Sequence, residues 1–224
     1  MGKVSCVSID RPGPGEELNA GPPTVPRQAA TVILLRGGAQ ALEVLLVQRT
    51  PAARFMGGAW VFPGGAVDAH EGEGDRAHRL AGVRELAEEA NVHGVQADDL
   101  VKFSQWITPA EVKIRFDTHF FLVSAPEDAD VRVDGSECVD FVWTTPELAL
   151  SRQREGELLL VFPTIKHLEQ ISRFDSADAL LDHARGLEVL PVTPRVIGSG
   201  EQARVVLPGE PGYAVGAGRE PGLS

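Results

Sequence analysis

Three glutamates crowd the end of one predicted helix, in the run Arg84-Glu85-Leu86-Ala87-Glu88-Glu89-Ala90-Asn91-Val92. Spaced i, i+3 and i+4, Glu85, Glu88 and Glu89 share one helical face, with Cβ atoms roughly 5–6 Å apart. Folding alone does not favour this. Like charges at that spacing repel by about 0.2–0.5 kcal/mol per pair, and acids in a last turn oppose the helix dipole by roughly 0.3–1 kcal/mol each. A bound divalent cation reverses the sign of these terms, so cation-assisted chemistry is the expectation. Upstream, Phe62-Pro63-Gly64-Gly65 forms a turn.

Periodicity gives the elements that must position these groups. Residues 31–35 and 42–47 are β-rich runs joined by a turn at Gly37-Gly38, a hairpin. Residues 49–65 are punctuated by glycine and proline and end in a short strand at 59–62. The helix is expected over 76–90, with Leu80, Val83, Leu86 (or Ala87) and Ala90 facing inward. Further strands are expected at 100–107, 115–123 and 139–143, and helices at 146–152, 164–173 and 177–184. Residues 191–197 and 203–207 read as a closing pair of short strands. Strands interleaved irregularly with few helices indicate an α/β (α+β) protein with a mixed β-sheet packed between helices. Residues 1–26 carry many prolines and glycines without apolar periodicity, and read as a flexible tail or an arm laid over the surface. Residues 211–224 read as a second tail, leaving 27–210 as a single domain with a helical appendage.

The chain has 224 residues, 43% hydrophobic and 24% charged, enough for one domain with a substantial core. Its formal net charge of -11 argues against general nucleic-acid or anionic-membrane binding. An anionic substrate would then need local positive charge or metal. Cys6 and Cys138 indicate neither a disulfide framework nor a zinc site. With no apolar leader and no run approaching 18 apolar residues, a soluble, cytoplasmic protein is expected.

Gly65, then Glu71 after five residues, then the Arg84–Val92 run together resemble the signature of the Nudix hydrolases, G-x5-E-x7-R-E-U-x-E-E-x-G-U with U apolar. Two departures stand out. Twelve residues, not seven, separate Glu71 from Arg84, the extra ones falling in Gly72-Glu73-Gly74-Asp75, read as a loop. Five more residues in a loop cost well under about 1 kcal/mol, so the helix is untouched, while Glu71 and Glu73 both remain candidates for the upstream glutamate. Asn91 replaces the closing glycine, at a position that needs left-handed backbone, which asparagine tolerates next best. The resemblance implies a Nudix α/β/α sandwich that hydrolyses a nucleoside diphosphate derivative with Mg²⁺ or Mn²⁺. It implies Glu85, Glu88 and Glu89 as metal ligands, with a carbonyl from Gly65. Arg84 would orient a carboxylate, with Glu88 one turn on as partner, and Arg84, Glu85 and Glu88 form the catalytic set. Glu137 lies in a loop where some Nudix enzymes place a further ligand or general base.

Residues 45–65 are also similar to the coenzyme A diphosphatase motif L-L-T-x-R-[S/A]-x3-R-x3-G-x3-F-P-G-G. Arg49, Arg54, Gly58 and Phe62-Pro63-Gly64-Gly65 fall in register, with Val47 and Thr50 as mismatches. By that similarity Arg49, Arg54, Phe62 and Gly64 bind substrate, and guanidinium forks suit phosphate oxygens on an acidic protein. CoA or an acyl-CoA is the first expectation, with ADP-ribose or NADH as alternatives. A nucleotide-binding module without catalysis is the alternative of a different class. Nudix proteins often dimerise, and a homodimer is left open. Asp117 and His119 share one strand face, as cleft lining or as a hydrogen-bonded pair. Trp60 and Trp106 read as core or cleft wall.

Overall fold

Alternation along β1 (Arg27–Arg36) builds the molecule's two cores. Ala30, Val32 and Leu34 point into one apolar cluster, while Ile33 and Leu35 point into the other. A strand buried on both faces belongs at the centre of a sheet, and β1 is central. The computed structural model describes residues 17–19, 21–37, 41–198 and 203–214. Cys6, Gly38 and the expected tail over 1–16 lie outside these residues, as does 215–224.

β1 runs parallel to β6 (Phe116–Ser124) and antiparallel to β2 (Glu43–Arg49), the expected hairpin partner. Beyond β6 lie β5 (Val101–Ile107), antiparallel, and then β8 (Pro191–Val192), parallel. β2 also pairs with β3 (Trp60–Val61) and β7 (Cys138–Thr144). β4 (Gly64–Ala66), not expected as a strand, pairs with the start of β1. The result is a mixed sheet of eight strands among the described residues.

One face carries α1 (Gly74–Ala90), the other α2 (Pro146–Arg154), α3 (Phe162–Ile171) and α4 (Ala177–Arg185). That is the expected α/β/α sandwich. Two expectations need correction. The inward face of α1 is Ala77, His78, Ala81, Gly82, Glu85, Leu86, Glu89 and Ala90, rotated from the expected stripe. Leu80 and Val83 are only half-buried. Small residues decide this: a Cβ at Gly82 would lie 2.8 Å from Val32 Cγ2, so the helix seats directly on β1. The closing strand pair is also narrower than expected. β8 joins the main sheet, and only β9 (Arg195–Ile197) and β10 (Arg204–Val206) form the separate hairpin.

Residues 17–26 run against the loop before β6. The Asn19 N–H donates to the Glu111 carbonyl (2.7 Å), and the Lys113 N–H to that of Glu17 (2.9 Å). No helix among the described residues is long and apolar enough to cross a membrane.

Candidate active site

β4 lies directly over the last turns of α1, and its glycines make that approach sterically feasible. A Cβ at Gly64 would sit 2.5 Å from the Ala30 carbonyl, and one at Gly65 only 2.1 Å from Glu85 Oε1. The Gly64 N–H donates to Glu89 Oε2 at 2.9 Å. The turn and the helix, some twenty residues apart, thus meet through a backbone donor and a carboxylate.

The glutamates divide by burial. Glu85 and Glu89 are buried, while the Glu88 side chain is 58% exposed. Burial raises the Glu89 carboxyl to about 7, with the nearby Glu85 and Glu137 charges adding to it. The Gly64 N–H and Arg49 oppose this shift. Burial also raises Glu85, against the pull of Arg84. Buried carboxyls without enough positive charge mark a site rather than a scaffold.

Arg84 organises the cluster. Its Nε donates to Glu71 Oε1 (3.0 Å), Nη1 to Glu85 Oε1 and Glu88 Oε2 (both 2.8 Å), and Nη2 to the Ala66 carbonyl (2.9 Å). Burial disfavours its charge, yet its bonds to Glu71 and Glu88, with Glu85, hold its pKa above the ordinary value. Of the two upstream candidates, Glu71 is the one that Arg84 holds. Its other oxygen accepts from the Asp68 N–H (2.7 Å), and its side chain is 4% exposed. Glu73 precedes α1 without a side-chain cap bond. The inserted residues do not all loop out: Gly74 and Asp75 begin the helix two residues ahead of expectation. Asn91 ends it at φ 54°, ψ 27°, the left-handed geometry that the signature's glycine would adopt.

Arg49 enters from the end of β2, where a bulge at Gln48/Arg49 re-aims the strand. Its Nη1 lies 3.9 Å from Glu89 Oε1, and its Nε is buried with no hydrogen-bond partner. Arg49, Phe62, Gly64, Gly65, Glu85, Glu89 and Glu137 all line one cleft of about 380 Å³. Glu88 and Arg84 are not part of this lining, and Arg54 is exposed on a neighbouring turn. Among the described residues no three potential metal-ligating side chains converge into a ready-made cage. Arg84 itself occupies oxygens of Glu85 and Glu88.

Asp117 and His119 do not line the cleft. Both face α1: His119 stacks on His78 with ring centroids 3.7 Å apart, and Asp117 accepts from Gln105 Nε2 (2.8 Å). Trp106 is cleft wall. The residue reading did not single out Arg27 at the head of β1, whose guanidinium lies 5.8 Å from the Phe116 ring. It also missed the apolar remainder of the lining from Phe55, Met56, Phe162, Val196 and Val205. An isolated valine or arginine carries no local signal for a wall assembled across the fold.

Fold and site together define an α/β pyrophosphohydrolase. The chain belongs to the Nudix family, whose NUDIX domain matches residues 25–162. It is 27% identical over 205 residues to a putative nudix hydrolase 7 of Caenorhabditis elegans, covering 76% of this chain and 68% of that one. The crystal structure of a NUDIX hydrolase from Alicyclobacillus acidocaldarius superposes with a TM-score of 0.63 at 27% identity, over 71% of this chain and 96% of that one. The NUDIX domain of Shewanella oneidensis NrtR, solved with ADP ribose, shares the fold at TM-score 0.51 and 20% identity, over 66% and 86% of the two chains. Hydrolases of this family generally use divalent metal ions such as Mg²⁺ or Mn²⁺.

Proposed function

We propose that the chain is a Mg²⁺- or Mn²⁺-dependent diphosphatase of coenzyme A or acyl-CoA. Its products would be adenosine 3′,5′-bisphosphate and (acyl-)4′-phosphopantetheine. The observation that carries this reading is Arg49. A half-buried arginine whose Nε is buried and unpartnered lines the same cleft as Glu85 and Glu89, in register with Arg54 and the Phe62–Gly65 turn of the CoA-type motif. Planar guanidinium donors grip phosphate oxygens.

The donor set fits a hard divalent cation. Every candidate ligand is oxygen, as Mg²⁺ requires. Burial holds the two buried carboxyls above the ordinary range, with the Glu88 and Glu137 charges adding at Glu85 and those of Glu85 and Glu137 adding at Glu89. A side chain at Gly65 would intrude on Glu85. Glu85, Glu88, Glu89 and the Gly65 carbonyl would hold the metal. A complete cage is not required, since Mg²⁺ commonly takes one or two carboxylates together with substrate phosphates and water. Bound there, the metal would polarise a phosphoryl oxygen and acidify a water.

The protein groups act around that centre. Arg84 shares its donors among Glu71, Glu85 and Glu88, and so sets which carboxylate oxygens are turned toward the cleft. The Gly64 N–H fixes Glu89. Glu137, on the facing loop, is the candidate general base, and Arg49 holds the diphosphate. Arg54, exposed beside it, is the candidate for the 3′-phosphate.

Product analysis with CoA, acyl-CoA, ADP-ribose, NADH and dinucleoside polyphosphates, each with Mg²⁺ or Mn²⁺, tests the reading. Release of adenosine 3′,5′-bisphosphate from CoA is expected. Cleavage of ADP-ribose or NADH with CoA left intact would overturn the substrate and keep the family chemistry.

A further inference from the structure

Past the carboxylates the cleft becomes apolar. Val112, Phe162, Val196, Ala203 and Val205 form a cluster of their own, with Trp106 against it. All but Ala203 reach the cleft lining, joined by Pro194. Pro194, Val196 and Val205 lie beyond residue 162, where the family match ends. This wall is therefore supplied by the chain's own C-terminal segment, on and beside the β9–β10 hairpin.

The hairpin is fastened from several sides. Arg195 Nε lies 3.7 Å from Glu111 Oε1, and Glu111 Oε2 accepts from the Val196 N–H (3.4 Å). Arg195 Nη1 donates to the Tyr213 carbonyl (3.1 Å), and the Tyr213 hydroxyl to that of Thr193 (2.9 Å). β8 then ties the same segment to β5, with Val192 opposite Trp106. Held at this many points, the hairpin is a fixed wall.

Its chemistry selects the occupant. The residues it presents are valine and proline, which offer no donor or charge to a base edge or a phosphate. Arg195 is absent from the cleft lining. The cleft's aromatic pairs are inclined, with Trp106 on Phe162 at 70° and Phe55 on Phe116 at 47°. Neither pair is a parallel slot for a nucleobase. A flexible aliphatic chain matches such a surface, and it would follow, through the pantetheine arm, from a diphosphate held at Arg49 and the glutamates.

We infer that Pro194, Val196 and Val205 form a specificity wall for the aliphatic chain of an acyl-CoA, an assignment that rests on the CoA reading above. Each methylene buried there raises kcat/KM by about fourfold, through KM, until the cleft is full.

The test compares CoA, acetyl-CoA, hexanoyl-CoA, decanoyl-CoA and ADP-ribose as substrates with Mg²⁺. It uses the wild type, Val205→Trp, and the double variant Val196→Ala/Val205→Ala, with folding checked by thermal melting. In the wild type, kcat/KM should climb with chain length. Val205→Trp fills the wall and should cut the decanoyl-CoA to CoA ratio at least tenfold, mainly in KM. The double variant enlarges it and should move the preference to longer chains, so it carries the test if the tryptophan variant does not fold. Turnover of all thioesters independent of chain length, or a ratio that the variants leave unchanged, would overturn the wall alone. Absence of cleavage of any CoA compound would overturn it together with the CoA reading.

Discussion

The two ends of the cleft are built by opposite means. The carboxylate cluster of the acidic end comes from one continuous stretch, Gly64 to Glu89, with only Arg49 and Glu137 brought in from elsewhere, and it packs carboxylates where burial disfavours their charge. The apolar end gathers Trp106, Phe116, Phe162, Val196 and Val205 from five separate elements, and its members gain by leaving water. One end draws on the stability of the fold and the other adds to it. Local departures from what folding favours are where chemistry is to be sought. Complementary apolar surface shapes what the chemistry acts on.

The largest effect should come from Glu89→Gln. Loss of a metal-facing carboxylate is expected to lower turnover by about 10²–10⁴-fold. Stability should move the other way. The Glu89 carboxyl sits at about 7 in the folded chain against 4.5 as its ordinary value. Between those values the folded state binds more protons, so stability falls as pH rises through the window. Glutamine removes that penalty and still accepts from the Gly64 N–H. In metal-free buffer at pH 8 the variant should gain on the order of 1–3 kcal/mol, a gain that shrinks toward pH 5. Denaturant melts at both pH values measure it, and a variant less stable than wild type at pH 8 would place the acidic end on the stabilising side.

Beneath the apolar end the sign reverses. His167 is buried among Phe62, Phe103, Trp106 and Phe120, its ring centroid 4.2 Å from that of Phe120. Its Nδ1–H donates to the Pro163 carbonyl (2.7 Å), and Nε2 meets the Ser104 hydroxyl (2.6 Å). Burial lowers its pKa to about 4, with the Pro163 bond opposing, and burial likewise lowers His119 to about 4. Between about 6.5 and 4 the unfolded chain holds protons that the folded one does not, so stability is full above 6.5 and declines on acidification. The His167 share is on the order of 3 kcal/mol. His167→Gln should flatten the decline measured by urea melts between pH 7 and 4.5. An unaltered slope would move the acid lability to another group.

These contrasts also explain what could be read before the structure. The acidic end was readable because glutamates at i, i+3 and i+4 and a Gly-Gly turn are local patterns, and the chemistry follows from spacing. The central sheet followed from runs of β-branched and aromatic residues. Less could be read wherever a residue's partner is distant. The inward face of α1 is not its most apolar one: Leu80 and Val83 are more apolar than Ala77, Ala81 and Gly82, which face the sheet. Proximity to Val32, not hydrophobicity, chose the face. Asp117 and His119 share a strand face as expected, but only the path of α1, with its His78, decides that this face looks away from the cleft. Val196 and Val205 gave no hint of a wall, since nothing near them in the chain records their approach to Phe162.

A smaller effect separates geometry from charge at the acidic end. Gly65→Ala adds one carbon, 2.1 Å from Glu85 Oε1. The clash is with the end of a flexible side chain, so the fold should persist while the carboxylate is displaced from its bond to Arg84. A loss of roughly 10- to 100-fold in turnover is expected, comparable to disturbing the groups that orient a metal's ligands. The wall at the apolar end should register nothing, so the chain-length preference stays as in the wild type. A changed preference would mean that the two ends are mechanically coupled.

The smallest effect lies at Asn91, which closes α1 just past the acidic end. The Asn91 and Val92 N–H groups cap the Ala87 (3.2 Å) and Leu86 (3.0 Å) carbonyls, and Asn91 Nδ2 donates to the Asp130 carbonyl (3.0 Å). At φ 54° a Cβ without a compensating side-chain bond costs about 1–2 kcal/mol. Asn91→Ala should therefore destabilise by about that amount. Asn91→Gly should be nearly neutral, because relief of the left-handed backbone offsets the lost bond and the added chain freedom. Chemical denaturation of both variants makes the comparison, with turnover at saturating Mg²⁺ expected within about twofold of wild type for glycine. If glycine were as damaging as alanine, the Asp130 contact would be what holds the end of α1. The acidic end would then depend on a long-range bond, as the apolar end does, and not on local helix-end geometry.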